Sequence, residues 1–505
     1  MSYNCNHKNC NREFDENEYE ITEMENSCIL HLDKIEENDK NCKIYNHAFD
    51  EYVQSKLEYT KRISFYDIIF LKCLNEKDYC HLEEIKFTGC KFYKNLHFAN
   101  SEKVFYDGCD FYVDWNSINY KNLFTIRKYL FNNCHFYEKL ENRYSENSKT
   151  IYDSKLFNNC TFHKNIRFLN GIFNEKIFKD CNFDNKIKLE IEDSDIKRRF
   201  EINRNNIFQL LNFKDSIFLE KVKIKRCYVE NANFFNTTFN ELADFYKTEF
   251  EKVDFEKTDF EKISVFSECE FNCDVDFKHT KFLGKTFFQD TVIKGKLNLR
   301  NSIFDNEVNF LDITSIQREV KDGQFIGEPS DIKVANRETA RKIKHFYDST
   351  NNVIEANRFY KLEMKKREEE LDKKSNFFDW LVFKIHGLTS NHSQDWTLAL
   401  YWILIIGASF SFINNSTGFW SLFITVIFSM IIFFCNNFNK WIKLLLFYVL
   451  YILKTGDVLL HDVVKVINPF EKSSGIGLIE FLSKIIIAYL IYQLIVSIRQ
   501  NTRRK

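Results

Sequence analysis

A phenylalanine returns at an almost fixed step of five residues through the middle of the chain, with a small residue two places before it. The cleanest stretch reads Ala232-Asn-Phe234, Thr237-Thr-Phe239, Thr248-Glu-Phe250, Val253-Asp-Phe255 and Thr258-Asp-Phe260. That step matches neither the 3.6-residue period of a helix nor the two-residue alternation of a free strand. It demands a chain that turns a corner at every repeat and stacks on itself.

Steps of six and five alternate from Phe260 onward. Phe266, Phe277, Phe288, Leu299 and Phe310 lie eleven apart, as do Phe271, Phe282, Ile293 and Phe304. Four short segments then make one coil of about 21–22 residues, the scale of a solenoid repeat. Cys90, Cys109, Cys134, Cys160 and Cys181 each stand two before a phenylalanine, with neighbours roughly one coil apart and a polar insertion from Glu141 to Thr150. Stacking coils at about 4.8 Å pairs the backbone groups that a single coil leaves open. Roughly ten coils between Ile85 and Phe310 give a rod on the order of 50 Å long, with phenylalanine laddered over phenylalanine inside. The expected interior ladder includes Phe234, Phe239, Phe250, Phe255, Phe260, Phe271, Phe277 and Phe282. A β-sandwich would alternate by two, with turn signals every 8–12 residues. This segment has no proline and no such alternation.

The small-x-Phe pattern resembles the pentapeptide repeat family, closely over 229–265 and more loosely over 85–225. The resemblance implies a mainly β fold, a right-handed four-sided β-helix. It implies no reaction, because function on such a scaffold resides in particular sites.

The 505 residues allow several domains, and 71 basic against 72 acidic residues leave no global field for nucleic acid. Met1 to Glu16 is mostly polar and has no apolar signal core. The fifteen cysteines, most of those in the repeat in its small-residue slot, read as reduced thiols of a cytosolic compartment. We divide the chain into a Cys/His leader over 1–42, a helical cap over 43–84, a β-helix over 85–310, a linker with amphipathic helices over 311–392 and a transmembrane domain over 393–505.

Within the leader, Cys5-x4-Cys10 is followed by Cys28-x2-His31, a donor set that can close a tetrahedral zinc site, with Cys42 and His47 as substitutes. A short polar segment with little core gains most from such a clip. The set also looks like a small Cys-Cys-Cys-His element at the start of some bacterial proteins, with a longer and more acidic loop between Cys10 and Cys28. Phe49, Val53, Leu57 and Tyr59 give the following segment a modest apolar face, suited to covering the first coil.

Beyond the repeat, Arg337 to Tyr347 and Val353 to Leu371 read as helices, the second with Val353, Ala356, Tyr360, Met364 and Leu371 on one face. Glu355 to Met364 resembles a helix that precedes the membrane segment of some bacterial pentapeptide repeat membrane proteins. Lys361, Lys365, Lys366 and Arg367 are placed to meet anionic lipid, at about 1 kcal/mol for each group near the surface.

Four apolar segments follow: Trp396–Ile413, Phe419–Cys435, the short Ile442–Leu453, and Leu478–Ile498. Lysine and arginine at 361–384, at Lys440 and Lys443 and at Arg503–Lys505 put both ends on the cytoplasmic side of a bacterial inner membrane, which requires an even number of crossings. Four is the simplest number, with 442–460 as an imperfect third that either crosses or re-enters and the loop around Pro469 facing outward. Thr455, Asp457, His461, Glu480 and Lys484 are polar groups at or near membrane depth, and Glu480 and Lys484 are spaced to pair. A re-entrant segment plus a helix is similar to the pore half of small ion channels, and Lys454-Thr-Gly-Asp457 faintly resembles the end of a potassium filter without its preceding Thr-Val.

No phosphate loop, nucleophile elbow or paired catalytic carboxylates stand out, so we expect no enzyme. The expected role is a non-enzymatic membrane protein whose β-helix is a scaffold or sensor for a protein partner, self-associating through its transmembrane part. One alternative is an ion channel gated by the β-helix. Another is a DNA-mimicking topoisomerase regulator, as some pentapeptide repeat proteins are. Residues 241–276 concentrate acid, but basic residues return at 221–226 and 294–300.

Overall fold

The structure is a computed structural model. It describes residues 2–502 except 23–26, 33–38, 58–60, 72–73, 76–81, 95, 98–103, 114–128, 143–148, 203–204, 317–319, 322–323, 326–331, 416–438, 457–459 and 469–477. The chain forms two compact units, Met1–Ala335 and Asn336–Lys505.

The first unit is a β-solenoid. Short strands of two to six residues stack on their counterparts one coil later, and every strand pair described between successive coils is parallel. A regular coil turns through Ala232–Asn233, Thr238–Phe239, Ala243–Asp244 and Glu249–Phe250 before Val253–Asp254 lands on Ala232–Asn233 in register. The eleven-residue step is thus half a coil, joining opposite faces. The stacking step is 21 or 22, with Phe234 on Phe255 at 4.8 Å, Phe255 on Phe277 at 4.9 Å and Phe260 on Phe282 at 5.2 Å. Rings from opposite faces meet edge-on across the interior, as Phe255 and Phe266 do at 83°. Parallel stacks along the axis and edge contacts across it are the two arrangements that suit an aromatic quadrupole.

The small-residue slot has a bonding reason. At every second corner the chain makes a tight turn in which Thr258 N–H donates to Phe255 O at 3.2 Å, with Lys257 between them in the left-handed region at φ 59°. The next residue is fully buried, and its hydroxyl donates to the coil before. Thr258 Oγ1 reaches Phe234 O at 2.8 Å, Thr280 Oγ1 reaches Phe255 O at 2.6 Å and Thr291 Oγ1 reaches Phe266 O at 2.8 Å. Cysteine fills the same place as a weaker donor, Cys269 Sγ to Phe245 O at 2.9 Å and Cys90 Sγ to Phe65 O at 3.5 Å. In the regular coils this slot holds a short side chain with a donor, whereas Ile68 and Ile313 fill it by packing alone. Where the coils approach most closely even a Cβ is excluded: one added at Gly295 would lie 2.2 Å from the Cys273 carbonyl.

Outside, rows of charge pair along the axis, Lys278 with Glu256 at 3.3 Å, Lys281 with Asp259 at 2.7 Å and Lys247 with Glu268 at 2.8 Å. The acid of 241–276 is therefore interleaved with lysine rather than presented as a continuous field.

The solenoid begins earlier than Ile85. Arg62–Tyr66 and Ile69–Phe70 already stack on Glu84–Thr88 and Lys91–Phe92, with Phe65 on Phe87 at 5.1 Å and Phe70 on Phe92 at 4.7 Å. In this coil the slots before Phe65 and Phe70 hold the bulky Ile63 and Ile68, so the small-x-Phe pattern is absent although the geometry is present. The helical cap is correspondingly shorter, Asp39–Leu57. Its Phe49 stacks on Phe65 at 5.9 Å, and its Tyr45 hydroxyl donates to Ile69 O, closing the first coil's open edge. At the other end Lys333–Val334 adds a strand to Lys296–Leu297, so the segment expected as linker still belongs to the solenoid up to Ala335.

The second unit is helical: Arg337–Ser349, Val353–Glu370, Phe377–Ser390, Trp396–Asn415, Lys440–Thr455, His461–Ile467 and Leu478–Thr502. Asn336 and Asn352 cap the first two by accepting from Thr339 N and Glu355 N. Val353–Glu370 buries Ala356, Phe359 and Glu363 most deeply, a stripe rotated from the expected one. Phe359 stacks on Tyr347 at 5.5 Å, and Arg341 pairs with the buried Glu363 at 2.8 Å. Its charged partner lets that carboxylate sit inside. Among the described residues one helix is long and apolar enough to cross a membrane, through Phe481–Gln500. Trp396–Ser411 and Ile442–Leu453 are apolar but shorter, and Phe419–Cys435 lies outside the described residues.

Candidate metal centre

The leader brings its distant donors together through a small hairpin. β1 (Tyr3–Asn4) pairs antiparallel with β2 (Glu13–Phe14), which sets Cys5 and Cys10 at the tip. Helix α1 (Glu16–Ile21) follows, started by Asp15 accepting from Glu18 N. The buried Glu18 ties this to the second donor pair: one oxygen accepts from Ile29 N at 2.8 Å while the carboxylate pairs with Arg12. A single turn of 3-10 helix, Ile29–His31, then presents Cys28 and His31.

The ligand atoms of Cys5, Cys10, Cys28 and His31 all lie within 4.8 Å of one another, the three cysteines buried and the histidine partly buried. Cys10 Sγ and Cys28 Sγ are 3.5 Å apart. A tetrahedral zinc with Zn–S of about 2.3 Å needs sulfurs roughly 3.8 Å apart. Cys28 N–H donates to Cys5 Sγ at 3.3 Å, the contact that steadies a thiolate. His31 Nδ1 lies 2.8 Å from Asp67 O, a carbonyl that can only accept. The proton is therefore on Nδ1, and Nε2 carries a free lone pair. That Nε2 is buried and has no hydrogen-bond partner among the described residues. A buried, unsatisfied acceptor aimed into three thiols, its tautomer fixed by a carbonyl, is what a metal-ligating histidine requires.

The electrostatics agree. Hydrogen bonds from Cys10 and Cys28 hold the Cys5 thiol far below its ordinary value. Contact with the other two and burial drive Cys28 far above it, and Cys10 is raised to about 11. Burial also lowers His31, keeping it neutral. A divalent ion supplies the charge that lets the remaining thiols ionise. The cluster could hold a metal, and zinc is the ion these donors suit.

Two supporting residues were not singled out from the sequence. Asp67, on the first coil, orients His31, and His7 stacks on His31 at 4.1 Å with Nε2 3.5 Å from Asp67 Oδ2. The signal for His7 was its place between Cys5 and Cys10. Asp67 carries none, since its coil lacks the small-x-Phe pattern. Cys42 and His47 are exposed on the cap helix and stand apart from the cluster.

The polar residues expected at membrane depth do not converge on one site among the described residues. Lys484 Nζ donates to Asn468 O at 2.6 Å. His461 opens a short helix and is exposed, Thr455 ends Lys440–Thr455, and Glu480 lies in the first turn of Leu478–Thr502. Asp457 and the loop around Pro469 lie outside the described residues. The interior ladder is complete in its part: Phe234, Phe239, Phe250, Phe255, Phe260, Phe271, Phe277 and Phe282 are all buried.

No curated protein and no solved structure matches the chain. Residues 234–281 and 266–314 match the family described as pentapeptide repeats (9 copies). The matched stretch falls within the most regular coils, where the stacked phenylalanines and small-residue slots repeat most evenly.

Proposed function

We propose that this chain acts without catalysis, as a membrane-attached scaffold whose β-helix offers fixed outward rows of side chains to a protein partner. The observation that carries this reading is the joining of two parts in one chain. One is a solenoid whose interior is filled by aromatic stacks, leaving its chemistry on the outer faces. The other is a helix of spanning length, Phe481–Gln500, whose surface is largely open within the monomer and apolar. Lysine and arginine at 361–384 favour a cytoplasmic solenoid, in keeping with its free cysteines. The metal centre is structural in this reading. Zinc at Cys5, Cys10, Cys28 and His31 locks the leader, through Asp67, over the first coil.

Bilayer recordings on the purified full chain test the scaffold against a channel. The scaffold reading expects no discrete conductance over the voltage range that the bilayer tolerates. Reproducible unitary currents, altered by Glu480→Gln, would replace it with the pore.

A further inference from the structure

The solenoid has a seam. On one face the ladder runs without a break from Arg62–Tyr66 to Phe178–Lys179, then stops, and a separate sheet starts one coil later at Phe200–Ile202. The rings inside register the break: Phe178 meets Phe200 edge-on at 75° and 6.1 Å, where its neighbours one coil earlier, Phe157 and Phe178, stack at 19°. A cleft of about 470 Å³ opens there, lined by Lys176, Lys179, Arg199, Lys223 and Lys225 against two carboxylates, Asp180 and Glu201.

We propose that this cleft binds an oligophosphate, a ligand with two or more linked phosphoryl groups. The cations come from three successive coils, a spread that suits more than one phosphoryl group. Among the described residues Lys176 and Lys179 form no ion pair with a carboxylate, whereas Lys225 is already paired with the buried Asp244. Glu201 is shared, pairing with Arg199 and lying 3.7 Å from Lys223. Arg199 Nε is buried yet has no hydrogen-bond partner among the described residues. A guanidinium with an unused, shielded N–H in a half-open cleft is matched by a phosphoryl oxygen, and lysines supply point charges around it. Phe178 and Ile202 are buried in the floor, so no open aromatic face invites a base, and recognition falls on the anionic part.

The test is calorimetric titration of the purified full chain in detergent micelles with pyrophosphate and, separately, inorganic phosphate. Pyrophosphate should bind more tightly than phosphate. Arg199→Gln and the double variant Lys176→Gln, Lys179→Gln should each weaken it by about tenfold, the effect of one charge-assisted hydrogen bond. Glu201→Gln removes the competing carboxylate and should tighten binding, a gain that misfolding cannot imitate. Lys285→Gln, on a distant coil, should leave it unchanged. Vesicles carrying a bisphosphorylated inositol lipid identify the source: displacement of pyrophosphate assigns the site to a lipid headgroup, and its retention assigns it to a soluble anion. No pyrophosphate binding at millimolar concentration, or binding that none of the cleft substitutions alters, would overturn the proposal.

Discussion

Thr258 shows how one side chain holds two coils. Its hydroxyl bridges to the Phe234 carbonyl of the preceding coil while its backbone closes the corner after Phe255. Thr258→Val keeps the shape and removes the donor, leaving a buried carbonyl short of a partner. It should cost about 1–3 kcal/mol in urea unfolding, with Thr258→Ser nearer wild type. Equal stability of the two variants would refute the bonding role. Phe255 is fully buried between Phe234 and Phe277, so Phe255→Ala should cost about 3–5 kcal/mol, read as a lowered midpoint of the solenoid transition. In the leader, elemental analysis should find one zinc per chain, lost in Cys28→Ser and in His31→Ala. Zinc content unaffected by both would remove the metal centre.

Among the elements, the turn that joins Phe377–Ser390 to Trp396–Asn415 is sensitive to acid. Asn391, His392 and Ser393 are consecutive left-handed residues, and His392 is buried 3.4 Å from His386. Burial, then the neighbouring His386, lowers His392 to about 4, against the pull of Glu368 at 3.5 Å, with Lys365 adding to the lowering. Because the folded value lies below the unfolded one, this group stabilises the fold above the ordinary histidine range, about 6.5. That contribution is lost as pH falls toward 4. Thermal melts of the helical unit between pH 7 and 4 should show a declining midpoint, with a smaller decline in His392→Gln. Parallel declines would contradict the assignment. The elements also show what the sequence displays and what it hides. The regular coils were legible because Thr, Ala and Val can occupy the slot before each phenylalanine and the chain writes that choice at a near-constant step. The first coil was not, because Ile63 and Ile68 fill the slots and only stacking on Phe87 and Phe92 reveals them. The four metal donors were readable from their spacing. Asp67 was not, since its role depends on a carbonyl placed by a fold 36 residues away from His31.

At the scale of the whole molecule, a single chain carries both a solid-cored solenoid and an apolar helix of spanning length. The four crossings expected from charge bias are reduced, among the described residues, to one helix of spanning length. Membrane attachment is therefore the claim on which the proposed function turns. Alkaline carbonate extraction of membranes from cells expressing the full chain tests it most directly. The account predicts that the protein remains in the pellet at high pH and is released only by detergent, because an apolar helix of about 20 residues does not leave a bilayer when charge contacts are broken. Quantitative release into the supernatant by carbonate alone would contradict it.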